Sequence, residues 1–166
     1  SFVTTADMER GDVIDGKPIK DWLVGANLHD DYTLENHDRV HPDYMCCTTM
    51  CMYQKMLYDW AGEKAPEALD WNVEKIYATS KKLTFPDGGF VYPNGQDWQL
   101  HRNAEWFDLH CGVAIQYRDP QAARLMRIVL ETAEKMAARN PDGPIVLLEE
   151  TNFASTQGFL FEGFAR

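Results

Sequence analysis

Apolar residues recur every three or four positions in four stretches of the chain, which is the pattern of helices with one face on a core. These stretches predict helices over about residues 43–61, 66–83, 99–117 and 120–139. Gly62 and Asn140-Pro141 end two of them, and Asp43 is expected to cap the first. The alternation of strands and helices that marks a parallel sheet is absent. The pattern therefore predicts an all-α fold.

The third and fourth predicted helices are joined by a very short connection. Asp119 is a good helix cap, and Pro120 suits the first position of a helix. A connection of this length places two helices side by side in opposite directions. We therefore expect antiparallel helical hairpins joined by long, aromatic-rich loops. Residues 145–148 are compatible with a strand or a helix start, and a last short helix is expected near 155–164.

Residues 1–42 lack sustained helical periodicity and are punctuated by Gly and Pro. We expect a largely irregular segment here, within a single helical domain spanning residues 1–166. The chain begins Ser1-Phe2-Val3, without an initiator methionine or a signal-peptide pattern. This beginning suggests a processed chain or a piece of a longer one, with further domains as partners.

Composition excludes some classes of protein. The chain has 16 basic and 26 acidic side chains, a net charge of -10, which disfavours nucleic-acid binding. No apolar run approaches the ~20 residues of a membrane-spanning helix. The four cysteines form no CxxC pair and are interpreted as small core residues, so neither a metal nor a cofactor is expected.

Two loops hold most of the residues that could carry chemistry. Residues 27–44 contain three histidines, four aspartates, Glu35, Asn36 and Arg39 within eighteen positions. Residues 90–102 mix aromatic and polar side chains and lead into the third predicted helix. Because binding residues are often found on loops held by a rigid scaffold, we expect the two loops to face each other across one groove.

These loops resemble a known family. The run Leu34-Glu35-Asn36-His37, followed by His41-Pro42-Asp43-Tyr44-Met45, resembles the Asn-His segment of polysaccharide lyases with an (α/α) toroid, the alginate-lyase and heparinase II/III-like groups. The loop Pro93-Asn94-Gly95-Gln96-Asp97-Trp98 before His101-Arg102 is similar to their substrate loops. The resemblance covers about residues 25–120. It implies part of an (α/α) toroid, an acidic polysaccharide or oligosaccharide as partner, and a periplasmic or secreted location.

β-Elimination from a uronate requires a donor to the substrate carboxylate, a base and an acid. Asn36 is a suitable neutral donor, and His37 or His41 a suitable base. Tyr44 is the first choice of acid, with Tyr32 and Tyr92 as alternatives. The residues expected to bind substrate are Arg39, Tyr92, Asp97, Trp98, His101 and Arg102. Trp106 is more typical of a core residue than of a sugar platform.

Two other functions remain open at this point. A glycoside hydrolase on a helical toroid would use two carboxylates, with Asp97, Glu105, Asp31 and Glu35 as candidates. A non-catalytic carbohydrate-binding or interaction domain is the other. The neutral Asn-His pair favours elimination over hydrolysis.

Overall fold

A computed structural model of the chain describes residues 2–95, 104–140 and 145. The chain divides into two compact units, Ser1–Leu83 and Thr84–Arg166. The described part is mainly helical, which confirms the predicted helical class. None of the helices in these ranges has the length and apolar character needed to cross a membrane.

Unit 1 contains four α-helices, two small hairpins and two turns of 3-10 helix. The α-helices are α1 (Thr5–Arg10), α2 (Pro42–Met45), α3 (Thr48–Ala61) and α4 (Val73–Lys82). Strands β1 (Val13–Ile14) and β2 (Lys17–Pro18) pair antiparallel, as do β3 (Glu35–Asn36) and β4 (Arg39–Val40). The 3-10 turns are Ile19–Asp21 and Glu67–Leu69. The segment 1–42 is thus more ordered than its sequence predicts.

The predicted helix 43–61 is divided into α2 and α3. The break falls at Cys46 and Cys47, where the Thr48 and Thr49 hydroxyls donate to the carbonyl oxygens of Met45 and Cys46. Hydroxyls that bond a preceding carbonyl tend to bend a helix. Gly62 ends α3 in the left-handed conformation, as predicted.

Asp43 does not cap α2. The N-cap is His41, whose side chain makes no capping bond, and Pro42 takes the first helical position. A proline in that position removes one of the N–H groups that a cap would satisfy. Asp43 therefore lies inside the first turn, where its carboxylate pairs with His41.

The predicted helix 66–83 is interrupted as well. Pro66 leads into the 3-10 turn Glu67–Leu69, and α4 begins only at Val73. Asn72 lies between them in the left-handed region, with φ 61°. Asparagine adopts this conformation more easily than most residues, so it accommodates the change of direction.

Two clusters of buried apolar side chains are seen in the described part of unit 1. One consists of Val3, Ile14 and Ile19, against which Trp71 packs. The other consists of Leu28, Met45 and Ile76, against which further partly buried apolar residues pack: Phe2, Tyr32, Leu34 and Leu83. The second cluster holds the end of α2 against α4.

A buried carboxylate ties the start of unit 1 to the start of α4. Asp7 Oδ2 accepts hydrogen bonds from the backbone N–H of Thr4 (2.9 Å) and from Asn72 Nδ2 (2.7 Å), and its Oδ1 accepts from Arg10 (2.7 Å). Asn72 Nδ2 also donates to the carbonyl oxygen of Phe2 (2.8 Å). Burial raises the pKa of Asp7, but the hydrogen bonds from Thr4 and Asn72 outweigh that effect and hold the pKa below its ordinary value.

Unit 2 is built on the hairpin of α5 (Ala104–Gln116) and α6 (Pro120–Ala138). Asp119 caps α6 by accepting from the backbone N–H groups of residues 121 and 122, which confirms the predicted cap. Phe107, Val129 and Ala133 form the core, with Trp106 packed against it as expected. The predicted helix near 155–164 lies outside the described residues, as does the start of the third predicted helix; of the predicted element at 145–148 only Ile145 is described.

Candidate functional site

The sequence Asn36-His37-Asp38-Arg39 forms the turn of the second hairpin. Asn36 and Arg39 are directly opposite each other on β3 and β4. The two residues between them, His37 and Asp38, both have positive φ (52° and 58°), as in a type I′ turn. Histidine and aspartate tolerate the left-handed region better than most side chains do. The turn therefore presents His37 and Asp38 at an exposed tip.

Asn36 and Arg39 are positioned to act together. Side chains directly opposite in an antiparallel pair lie on the same face, with Cβ atoms about 5 Å apart. Asn36 Nδ2 is buried and has no hydrogen-bond partner among the described residues. Within the same part of the chain, Arg39 forms no salt bridge. A neutral amide donor thus lies beside a cation, a combination that suits a carboxylate ligand.

The two histidines predicted as alternative bases have different environments. His37 is exposed at the tip of the turn. His41 has no exposed side-chain surface, and its Nδ1 lies 2.6 Å from Asp43 Oδ1, which is equally buried. His41 also donates its backbone N–H to the carbonyl oxygen of Leu34 (3.0 Å). Exposure favours His37 as the group that meets substrate, and the contacts of His41 favour a positioning role.

Tyr44 is held beside the His41–Asp43 pair. Its ring meets the His41 ring edge-to-face, with centroids 5.4 Å apart, and its backbone N–H donates to Asp43 Oδ1 (3.1 Å). Its side chain is partly buried. Because His41 bonds Leu34 as well, the start of α2 is fixed relative to the β3–β4 hairpin. Asp43 was not predicted as a site residue. Its position two residues after His41 is the sequence feature that could have indicated a His–Asp pair.

Two of the carboxylates proposed for a hydrolase, Asp31 and Glu35, have partners within unit 1. Asp31 Oδ1 accepts hydrogen bonds from the hydroxyl (2.7 Å) and the backbone N–H (2.9 Å) of Thr33, and these bonds lower its pKa. Glu35 Oε2 lies 3.3 Å from His29 Nε2. A carboxyl with a lowered pKa is a poor general acid. Glu105 belongs to unit 2, at the start of α5.

The second predicted loop is described only in part. Tyr92 belongs to unit 2 and is partly buried. Asp97, Trp98, His101 and Arg102 lie outside the described residues. The predicted groove between the two loops stays a prediction for the same reason.

Unit 2 buries two titratable side chains on α5. Burial raises the pKa of Asp108 to about 8, and its Oδ1 has no hydrogen-bond partner among the described residues. Burial lowers the pKa of His110 to about 4. The contact of its Nε2 with the carbonyl oxygen of Gly88 (3.4 Å) raises the pKa, but by less than burial lowers it. Both groups are therefore uncharged near pH 7. The sequence signal for Asp108 is an acid between two apolar core residues, Phe107 and Leu109.

The described residues contain no cluster of three or more His, Cys, Asp or Glu side chains that could hold a metal ion. None of the four cysteines forms a disulfide, and Cys46 is buried. Comparison with known protein families, curated proteins and solved structures finds no match for this chain.

Proposed function

We propose that this chain belongs to a polysaccharide lyase that cleaves uronic-acid-containing polymers by β-elimination. The observation that carries the proposal is the unpartnered, buried Nδ2 of Asn36 directly opposite Arg39. A buried donor without a partner costs about 1–3 kcal/mol, so it is well prepared for an incoming acceptor. The carboxylate of a uronate is such an acceptor.

The first step removes the proton from the carbon next to the substrate carboxylate. Negative charge then moves from that carbon onto the carboxylate oxygens, where Asn36 and Arg39 stabilise it more strongly than in the ground state. His37 takes the proton, since it is exposed and adjacent in sequence to Asn36. His41, held by Asp43, positions the hairpin and Tyr44.

The second step breaks the glycosidic bond. The electron pair of the broken C–H bond forms a carbon–carbon double bond, and the bond to the leaving oxygen breaks. Tyr44 donates its proton to that oxygen, and His37 keeps the proton removed from carbon. The products are an unsaturated uronate and a shortened chain with a new hydroxyl end.

The fold and the setting of this activity are part of the same proposal. The α5–α6 hairpin would belong to an (α/α) toroid, and Tyr92, Asp97, Trp98, His101 and Arg102 would bind the sugar chain. A periplasmic or secreted location follows from the polymer substrate. The helix-rich structure and the hairpin of unit 2 support this assignment.

The test is turnover of alginate, heparin and polygalacturonate by the full chain, followed by the absorbance of the unsaturated product. Asn36→Ala should lower kcat by about a hundredfold, which is typical of a lost transition-state donor. Arg39→Gln should raise KM as well, because it removes a cation that also binds the ground state. His37→Asn keeps a residue that tolerates positive φ and removes the base.

His29→Gln is the matched control for His37→Asn, because His29 is half-exposed and paired with Glu35 outside the turn. Its rate should stay within about threefold of wild type, a difference below 1 kcal/mol. Equal rates for wild type, Asn36→Ala and His37→Asn would refute the mechanism. New reducing ends without the unsaturated chromophore would indicate a hydrolase instead.

A further inference from the structure

Unit 1 contains a second candidate site, a cavity of about 410 Å³ at the start of α4. Small-molecule sites commonly have volumes of 300–1,000 Å³. The cavity is lined by Glu67, Asp70, Trp71, Asn72 and Lys75. None of these residues belongs to the β3–β4 hairpin or to the His41–Asp43 pair.

Trp71 gives this cavity a rigid aromatic wall. The side chain packs against the cluster of Val3, Ile14 and Ile19 and also lines the cavity. These contacts with the core hold the indole beside the cavity. Flat apolar side chains of this kind pack well against the apolar faces of ring-shaped ligands.

Asn72 supplies a fixed hydrogen-bond acceptor. Its Nδ2 donates to Asp7 Oδ2 (2.7 Å) and to the carbonyl oxygen of Phe2 (2.8 Å), and two acceptors on one atom identify that atom as nitrogen. The residue is only 7% exposed. Among the described residues none donates a side-chain hydrogen bond to its Oδ1, so the amide keeps an acceptor next to the cavity.

The charged residues around the cavity determine which ligand it suits. Asp70 is bridged by Lys55 Nζ, at 2.8 Å and 2.7 Å from its two oxygens. Lys75 Nζ lies 5.2 Å from the centre of the Tyr32 ring, and its N–H groups can donate hydrogen bonds to acceptors such as hydroxyl oxygens. Glu67 and Asp70 disfavour a ligand with its own carboxylate. The lining thus offers hydrogen-bond acceptors on its carboxylates and on Asn72, and donors on the ammonium group of Lys75. Hydroxyl groups, which both donate and accept hydrogen bonds, match this mixture.

We propose that the Trp71 cavity binds a neutral sugar unit, with the ring against the indole and hydroxyls on Asn72, Asp70 and Lys75. That this sugar belongs to the same polymer as the uronate rests on the proposed function. The substrate class would then be a polysaccharide that contains both neutral and uronic-acid sugars. Binding by the cavity is measured separately from turnover.

The experiment is calorimetric titration of the full chain with cellotetraose and mannotetraose, with trigalacturonate as the acidic comparison. Trp71→Leu keeps apolar packing but removes the flat face, and it should weaken binding of the neutral probe by about tenfold, or about 1.4 kcal/mol. Trp60→Leu is the matched control, because Trp60 is 76% exposed and does not line the cavity. Lys75→Met replaces an exposed side chain and tests the site without disturbing the core; we expect about threefold weaker binding.

Two results would overturn the inference. One is the absence of binding of either neutral probe at millimolar concentration. The other is binding that Trp71→Leu and Lys75→Met both leave unchanged. Trigalacturonate binding that depends on Arg39 but not on Trp71 would support separate sites. If the protein binds neutral sugars but shows no lyase activity, the proposed function is refuted and the neutral-sugar site stands.

Discussion

His41 Nδ1 lies 2.6 Å from Asp43 Oδ1, and neither side chain has any exposed surface. The pair lies at the junction of β4 and α2, and the backbone N–H of His41 also donates to the carbonyl oxygen of Leu34. Buried hydrogen bonds with an ionised partner are stronger than neutral ones and fix geometry. This pair therefore orients the turn of the second hairpin relative to the helix that carries Tyr44.

Asp43→Asn should lower the free energy of unfolding by about 1–2 kcal/mol, because it weakens a buried charge-assisted hydrogen bond. Urea unfolding at pH 7 measures this change. Asp38→Asn is the matched control: Asp38 is exposed, and asparagine tolerates its positive φ, so its effect should stay within about 0.5 kcal/mol. Equal effects of the two substitutions would show that the His41–Asp43 pair does not stabilise the fold.

Asp7 should make stability depend on acid pH. Its folded pKa is below the ordinary 3.8, so the stabilisation is complete above that value and is lost as the pH falls through the folded pKa. Asp7→Asn should therefore destabilise the protein at pH 7, and its deficit relative to wild type should shrink below about pH 4. Urea unfolding at pH 3 and pH 7 measures both.

The same substitution at exposed Asp59 should stay within about 0.5 kcal/mol of wild type at both pH values. A deficit of Asp7→Asn that is the same at pH 3 and pH 7 would contradict the role given to its hydrogen bonds.

Asp108 should have the opposite pH dependence. Its folded pKa of about 8 exceeds the ordinary 3.8, so the folded state binds more protons than the unfolded state between these values. Stability due to Asp108 is therefore full at low pH and falls as the pH rises toward 8. Asp108→Asn should be more stable than wild type at pH 8 by a margin that disappears near pH 4.

Urea unfolding at pH 4.5 and pH 8 measures this margin, with exposed Glu134→Gln on α6 as control. The control should show no comparable gain at pH 8. A constant difference between Asp108→Asn and wild type across this range would mean that the carboxyl is not buried in its uncharged form.

Gly88→Ala should destabilise the protein more than Gly62→Ala. Both glycines have positive φ (86° and 70°), so both substitutions cost about 1 kcal/mol of backbone strain. A Cβ on Gly88 would also overlap with Val129 Cγ2, whereas a Cβ on Gly62 meets nothing within 4 Å. Overpacking adds about 1–3 kcal/mol. Thermal unfolding measures the difference, and equal losses would refute close packing at Gly88.

The sequence predicts the long helices better than the short elements. The apolar stripe, the Asp119 cap and Pro120 locate α6 almost to the residue. Helix α1 has six residues, too few to show a period, and its signal is the capping box of Thr4 and Asp7. The sequence does not predict the break at Asn72, because the helical spacing of apolar residues continues across it. A single residue with a left-handed φ does not change that spacing.

The candidate site was predictable in its residue types but not in its geometry. The sequence identified Asn36, His37 and His41, yet it could not tell an exposed histidine from a buried one. That difference depends on Asp43 and Leu34, which the fold brings to His41. Asn72 and Trp71 were missed because their roles come from bonds to Asp7 and contacts to Val3, which are distant in sequence.

The bonds of Asn72 have a consequence for the order of folding. They join α4 to positions 65 and 70 residues earlier in the chain, whereas α5 and α6 are separated by only a short turn. Closing a long loop costs more entropy than closing a short one, and distant contacts slow folding. Pulse-labelled hydrogen exchange should therefore protect α5 and α6 before α1; simultaneous protection would contradict this order.

On a ribosome, the segment around Asp7 is made well before Asn72. Until residue 72 leaves the exit tunnel, the Asp7 carboxylate lacks its hydrogen bond from Asn72, and the cluster of Val3 and Ile14 lacks the packing of Trp71. The segment around Asp7 is in this way among the last parts of unit 1 to fold, and a chaperone would matter more for it than for α5 and α6.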